Sequence, residues 1–172
     1  MREGAWLLAF VTAQRLGELL LARRNTAALL ARGGLEVGAG HYLVIVALHA
    51  AWLIGLWFLG YNLPVDRGWL VVFAVLQAAR VWVIASLGPH WTTRIIVMPG
   101  VAPVVRGPYR LLRHPNYVVV VCEIAVIPLA LGLPVYALVF FMLNLAVLAV
   151  RIRVENAALA ASVAMPANLA KP

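Results

Sequence analysis

Two short stretches of this chain hold the side chains best suited to chemistry. Residues 107–117 read Gly107-Pro108-Tyr109-Arg110-Leu111-Leu112-Arg113-His114-Pro115-Asn116-Tyr117, and Arg106 stands just before them. Residues 151–156 read Arg151-Ile152-Arg153-Val154-Glu155-Asn156. Arg151 and Glu155 are four apart, so on a helix they share a face. A carboxylate accepts from ammonium and hydroxyl donors, and arginine forks a carboxylate. Phenol rings cover a cation, and an imidazole or carboxylate moves a proton. A bland reading competes with this one: a stop-transfer cluster of positive charge beside an ordinary ion pair capping a helix. That reading accounts for the arginines. It leaves His114-Pro115-Asn116-Tyr117 and a lone acid at a cation-rich helix end without a reason.

The elements that position these residues follow from composition. The chain has 172 residues, of which 65% are hydrophobic and 12% charged, and its mean hydropathy is +0.95. Soluble domains carry about 45–50% apolar and about 25% charged residues. A soluble globular enzyme, a disordered chain and a disulfide scaffold are therefore excluded, and the single cysteine, Cys122, forms no internal disulfide. The net charge of +8 points to anionic lipid headgroups and not to nucleic acid. The length fits one domain. Crossing a bilayer core of about 30 Å takes roughly 20 apolar residues. Residues 4–22, 41–61 and 68–87 qualify. The block 117–150 is too long for one span and short for two, and Pro128, Gly132 and Pro134 interrupt it. It reads as a tight helical hairpin turning at 131–134, with short or shallow legs. The first apolar stretch carries Gln14, Arg15 and Glu18 and no clear small-residue cleavage site, so it reads as structure and not as a signal peptide.

The expected fold is all-α and integral to the membrane, with about five transmembrane helices. Residues 1–87 give three scaffold spans, 88–116 a loop, 117–156 the hairpin and closing motif, and 157–172 an Ala-rich tail. Five spans gather Arg23, Arg24, Arg32, Arg94, Arg106, Arg110, Arg113, Arg151, Arg153 and Lys171 on one side and leave only Arg2 and Arg67 opposite. That asymmetry places the C-terminus in the cytosol. The five prolines of the loop, at 89, 99, 103, 108 and 115, prevent a long helix. Its apolar residues let it bury itself, so it reads as an ordered cap. Within the spans, Arg15 and Glu18 are three apart, as are Gln77 and Arg80. These, with His49 and Asn144, read either as interhelical ties or as a cavity lining, and Arg80 could also snorkel to the interface. Glu123, one or two turns into its span, needs a partner if ionised, with Arg151 or Arg153 across the hairpin the candidates.

Arg113-His114-Pro115-Asn116-Tyr117, preceded by Gly107-x-Tyr109 and followed two spans later by Arg151-x-x-x-Glu155, resembles the isoprenylcysteine carboxyl methyltransferase family. That family's pattern is a G-x-Y-x-x-x-R-H-P-x-Y loop, a helical hairpin and then R-x-x-x-E-E. The resemblance covers roughly residues 87–159, and Asn156 stands where the family has its second acid. It implies an integral-membrane O-methyltransferase that takes S-adenosylmethionine from the cytosol and a lipophilic acceptor, such as a prenylated cysteine, from the bilayer. Carried over residue by residue, it implies a cofactor site of Val101, Ala102, Pro103, Val104, Tyr109, Arg113, His114, Pro115, Asn116, Tyr117 and Glu155. Arg151 falls beside the acceptor. The catalytic candidates are Arg151, Glu155 and His114. His90 is a further candidate toward the acceptor, and no metal is expected.

Methyl transfer from a sulfonium is an in-line displacement, and holding its geometry supplies much of the catalysis. A carboxylate acceptor is already ionised and needs a cation to orient it. A phenol or enol must lose a proton, which would ask His90, His114 or Glu155 for base work. Residues 87–96, Leu87-Gly88-Pro89-His90-Trp91-Thr92-Thr93-Arg94-Ile95-Ile96, resemble a bacterial branch of the family. That branch methylates hydroxyls of long-chain alkylpyrones and alkylresorcinols, and the Ala/Leu/Arg-heavy composition suits a bacterial inner membrane. Three alternatives stand beside the leading one: phospholipid N-methylation, a sterol-type reduction on the same fold, and a non-enzymatic scaffold with a basic cytosolic face.

Overall fold

The computed structural model describes residues 2–164. Lys171 and the end of the expected tail lie outside the described residues. Five apolar helices form the structure: α1 (Glu3–Leu30), α2 (Ala39–Gly60), α3 (Arg67–Leu87), α4 (Pro115–Ala130) and α5 (Pro134–Ala164). Four are long and apolar enough to cross a membrane, and α4 is shorter. The all-α expectation stands, with one small addition. Strand β1 (Leu35–Val37) pairs antiparallel with β2 (Ile95–Val97), placing Glu36 opposite Ile96. It staples the α1–α2 connection to the long loop. Two 3-10 turns, Gly88–His90 and Gly107–Arg110, complete that loop, so the cap is ordered, as its apolar residues require.

Helix ends follow the punctuation of the sequence with two exceptions. Asp66 caps α3 by accepting from Trp69 N at 3.0 Å, and Pro115 occupies the first turn of α4. At Gly132 the chain adopts φ +70°, and Leu133 N donates to Pro128 O at 2.9 Å. This is the tight turn expected at 131–134. The first exception is α1, which continues past Arg23 and Arg24 to Leu30. Arginine is a good helix former, so leaving the apolar slab ends the span and not the helix. The second is the hairpin: α4 is short at 16 residues, whereas α5, expected short or shallow, runs for 31. Its continuation, Arg151 to Ala164, is polar enough to leave the slab yet rich in alanine, which favours helix.

The short helix is the most enclosed. Val119, Val120, Glu123, Ile124, Ile127 and Ala130 of α4 are buried. They pack with Leu8 and Val11 of α1, Trp52 and Leu56 of α2, and Phe73 of α3. Pro128 has no N–H to give the carbonyl four residues back. That carbonyl, Ile124 O, accepts instead from the Trp52 indole Nε1 at 3.2 Å. A proline inside an apolar helix is thus tolerated because a neighbouring helix supplies the missing donor. At one end of the bundle, Gly4 N donates to Leu63 O and Asp66 N to Ala130 O. At the other, Asn25 on α1 donates to Gly88 O and Trp91 O. The described cations of the long list above all gather at this second, basic end.

Arg15, Glu18, Gln77, Arg80 and Glu123 form one network within the spans, whereas the buried Asn144 Nδ2 has no hydrogen-bond partner among the described residues. Glu18 and Arg15 pair at 3.3 Å, and Arg80 binds Glu18 through Nε and Nη2. Glu123 is fully buried and accepts from Arg15 at 2.8 Å, Arg80 at 2.5 Å and Gln77 at 2.7 Å. The expectation of Arg151 or Arg153 as its partner is therefore corrected. Glu123 faces α1 and α3, and Arg151 is engaged elsewhere. Arg80 is buried and does not snorkel. Among the described residues, His49 hydrogen-bonds only within its own helix, at Ile45 O.

Candidate active site

The α4–α5 hairpin brings the two reactive stretches together. Running antiparallel, the helices set the first turn of α4 against residues 151–156 of α5. Tyr117 is the bridge between them. Its hydroxyl donates to Glu155 Oε2 and accepts from Arg151 Nε at 2.7 Å. The Arg151 guanidinium also lies 5.7 Å from the Tyr117 ring centroid. The expected i,i+4 neighbours on α5 thus meet through a phenol of α4. Arg151 is nearly inaccessible, and its Nη2 donates to the backbone carbonyl of Thr93 at 2.7 Å. Nε and Nη2 are thus occupied, and Nη1 has no hydrogen-bond partner among the described residues.

His114 precedes α4 and stacks on Tyr117, with ring centroids 5.4 Å apart. Its Nε2 lies 3.0 Å from Asn156 Oδ1. A carbonyl oxygen only accepts, so Nε2 carries the proton. Nδ1 lies 3.8 Å from Glu155 Oε1, too far for a hydrogen bond. Glu155 therefore keeps one oxygen without a close donor among the described residues. On the first turn of α4, next in the chain to Tyr117, Asn116 Oδ1 is buried with no hydrogen-bond partner among the described residues. Two acceptors, one charged, are thus left without donors, which is what a cationic or hydroxylic ligand supplies.

The loop covers this place in two passes. Gly100 N donates to Ser162 O near the end of α5 at 3.0 Å. The chain then turns back, and Arg106 Nε donates to Ser86 O of α3. Tyr109 lies between, close enough to Glu155 to feel its charge. Burial first, then that carboxylate, push the Tyr109 phenol above its ordinary value, so it stays protonated. Val101, Ala102 and Pro103 are exposed on the loop and Val104 is half-buried. Pro115 is buried under the first turn of α4, and Arg113 is exposed with no ion pair among the described residues. His90 is exposed on its 3-10 turn, three residues before Thr93, and makes no hydrogen bond to Arg151.

His114, Tyr117, Arg151 and Glu155 are therefore brought together, with Asn156 against His114, Asn116 next in the chain to Tyr117, and Tyr109 near Glu155. Arg113, His90 and residues 101–103 stand at the periphery. Sequence reasoning missed three supports. Thr93 acts through its backbone carbonyl, which no residue type signals. Asn25 holds the loop through Gly88 O and Trp91 O, yet it sits in a polar run that reads as solvent-facing. Arg94 binds Glu36 at 2.9 Å and lies 5.0 Å from the Tyr42 ring, while Tyr42 Oη lies 3.3 Å from Thr93 Oγ1. These contacts fix the segment that presents Thr93 to Arg151.

This arrangement has relatives. A Bacillus subtilis (strain 168) protein carrying the name uncharacterized protein YpbQ is 39% identical over 160 residues, covering 90% of this chain and 95% of that one. No solved structure matches significantly. The isoprenylcysteine carboxyl methyltransferase (ICMT) family matches over residues 69–161, from the start of α3 through Glu155 and Asn156. The chain is a multi-pass membrane protein that belongs to the isoprenylcysteine carboxyl methyltransferase family.

Proposed function

We propose that this methyltransferase is an S-adenosylmethionine-dependent O-methyltransferase acting on a lipophilic acceptor, of the isoprenylcysteine carboxyl methyltransferase type. The observation that carries the reading is the pair of unmet acceptors, Glu155 Oε1 and the buried Asn116 Oδ1. The cofactor has an ammonium, two ribose hydroxyls and an exocyclic amine, so the donor set it brings fits the acceptors this chain leaves open. When bound, it supplies a methyl group on a positively charged sulfur. Glu155 and Asn116 would hold its donors, Arg113 its carboxylate, and residues 101–104 with Tyr109 would close over it from the loop. His114, Pro115 and Tyr117 would give the wall. The three leading helices would serve as scaffold for a single domain, with the site open to the cytosol in a bacterial inner membrane.

Arg151 is the residue suited to the acceptor. Tyr117 and Thr93 hold its guanidinium, and its free Nη1 would orient an acceptor oxygen. For a carboxylate acceptor, orientation and exclusion of water are enough. For a phenolic or enolic hydroxyl, Glu155 or His114 would have to take a proton, and Glu155 Oε1 is the atom available to do so. His90 would stand at the acceptor's edge.

The test uses purified protein in lipid nanodiscs. Wild type should bind S-adenosylmethionine, and Glu155→Ala should lower the affinity at least about tenfold, the loss of one charge-assisted bond. Transfer of labelled methyl is then read with an isoprenylcysteine analogue and, separately, a long-chain alkylresorcinol. No cofactor binding by the wild type would refute the proposal. Preferential labelling of the resorcinol would move the acceptor to the hydroxyl class.

A further inference from the structure

The loop that caps the site does not stay above the bundle. Gly107 adopts φ +55° and lies so close to α3 that a Cβ there would meet the Ser86 side chain and stand 3.2 Å from Trp82 Nε1. Trp82 is 15 residues beyond Arg67, about 22 Å along the helix at 1.5 Å per residue. An apolar slab is about 30 Å thick. The 3-10 turn Gly107–Arg110 therefore lies alongside the last apolar turns of α3 and not beyond them. The hairpin gives the same depth independently: α4 has 16 residues, about 24 Å, so its first turn and the residues just before it begin short of the slab's edge.

What this returning segment exposes is apolar. Val105 is 71% exposed, Leu111 78% and Leu112 51%. Arg110 and Arg113 flank the two leucines, are exposed, and have no carboxylate partner among the described residues. In water such a surface is costly. At the boundary of a bilayer it is matched on both counts, because the leucines enter the acyl edge while Arg110 reaches up to phosphate.

We propose that residues 105–113 form an interfacial anchor, which inserts Leu111 and Leu112 into the adjacent leaflet and binds its anionic phospholipid headgroups through Arg110. A second copy of the chain is a poorer occupant. All six acidic residues are already engaged within one chain. Glu3 accepts from Val65 N, Asp66 caps α3, and Glu36 holds Arg94. Glu18 and Glu123 share Arg15 and Arg80, and Glu155 accepts from Tyr117. Glu3 and Asp66 lie at the opposite end of the bundle, and at this end Glu36 and Glu155 are already met by Arg94 and Tyr117, whereas anionic lipid offers a continuous field of negative charge. The anchor's last residues run directly into His114 and α4, so the same contact would hold the cap down over the site. This inference does not depend on which cofactor or acceptor the site takes.

The experiment is done on the full chain with Cys122→Ala, carrying an environment-sensitive fluorophore at Leu111→Cys. Ala160→Cys serves as the aqueous reference. Ala160 is exposed on α5, about 39 Å from its start. Each label is read in nanodiscs of phosphatidylcholine with and without phosphatidylglycerol, using a spin label high on the acyl chain and iodide in the buffer. The expected result is severalfold stronger quenching by the lipid spin label at 111 than at 160, and the reverse with iodide. Arg110→Gln should reduce the lipid quenching at 111 in phosphatidylglycerol discs to the level of pure phosphatidylcholine. Iodide quenching at 111 equal to that at 160 would overturn the anchor. A label shielded from both quenchers would overturn it in favour of a protein contact. Lipid quenching indifferent to phosphatidylglycerol and to Arg110→Gln would overturn the headgroup recognition.

Discussion

Tyr117 decides how residues 107–117 and 151–156 meet. Without it, Arg151 and Glu155 would face each other along α5 as a simple ion pair, and Arg151 would have little left to offer. With the phenol between them, each charge is met by one hydroxyl contact, and Arg151 Nη1 and Glu155 Oε1 are left without a hydrogen-bond partner among the described residues. A hydroxyl is suited to this because it donates to the acid and accepts from the cation at once. Tyr117→Phe keeps the ring that stacks on His114 and removes only the bridge. The freed Arg151 and Glu155 should then close on one another. The expected loss is about 1.5–3 kcal/mol in ligand binding, the range for hydrogen bonds to charged groups. It should appear as a fall of at least about tenfold in S-adenosylmethionine affinity by calorimetric titration, with the thermal midpoint little changed. Unchanged affinity would mean that the bridge is structural only.

At the scale of elements, the loop is held by contacts that carry no sequence signature. Asn25 directly follows Arg24 in a stretch that looks like a charged helix exit, yet its amide is buried and donates to two loop carbonyls, at 3.2 Å and 2.8 Å. Asn25→Ala leaves Gly88 O and Trp91 O without that donor, at a cost of about 1–3 kcal/mol. Amide hydrogen exchange across residues 88–97 should then quicken by about tenfold or more, while the α4–α5 hairpin keeps its protection. The reason this was illegible is general. Helices announce themselves by long apolar runs and by proline and glycine at their ends, so α2, α3 and the turn at Gly132 could be read closely from residue order. Helix propensity continued silently past the apolar limit, which is why α1 and α5 proved longer than their spans. A three-residue ladder such as β1–β2 is below any periodicity a sequence displays, and Thr93 contributes a carbonyl that every residue type has. That residues 107–117 and 151–156 belong together was legible because proline, histidine, tyrosine and glutamate in fixed spacing are rare in an apolar chain. Their bridging through Tyr117 depends on the packing of two helices whose relative rotation residue order does not give.

Across the whole molecule, the charges in the apolar interior explain why α4 can be both short and central. Arg15 and Arg80 against Glu18 and Glu123 sum to zero, and every carboxylate in the set has at least two donors. Residue order alone displayed Arg15 with Glu18 and Gln77 near Arg80, each pair on its own helix. The link across helices falls on Glu123, whose partners lie 108 and 43 positions away. The network therefore joins α1 and α3 to α4 at a depth where loose contacts would be filled by lipid. A buried pair adds little when compared with well-packed apolar groups, but breaking one leaves an uncompensated charge, typically at a cost of 3–5 kcal/mol. Glu123→Gln leaves the set with one excess positive charge and should lower the thermal midpoint in detergent strongly. Arg15→Gln alone leaves one excess negative charge and should do the same. Combining them restores neutrality, and the double variant should be more stable than the sum of the two single losses predicts, by about 1–3 kcal/mol of coupling. Additive losses would show that Glu123 and Arg15 act as independent packing groups, and the reason for keeping five polar side chains in the apolar interior would then have to be sought in ligand binding there.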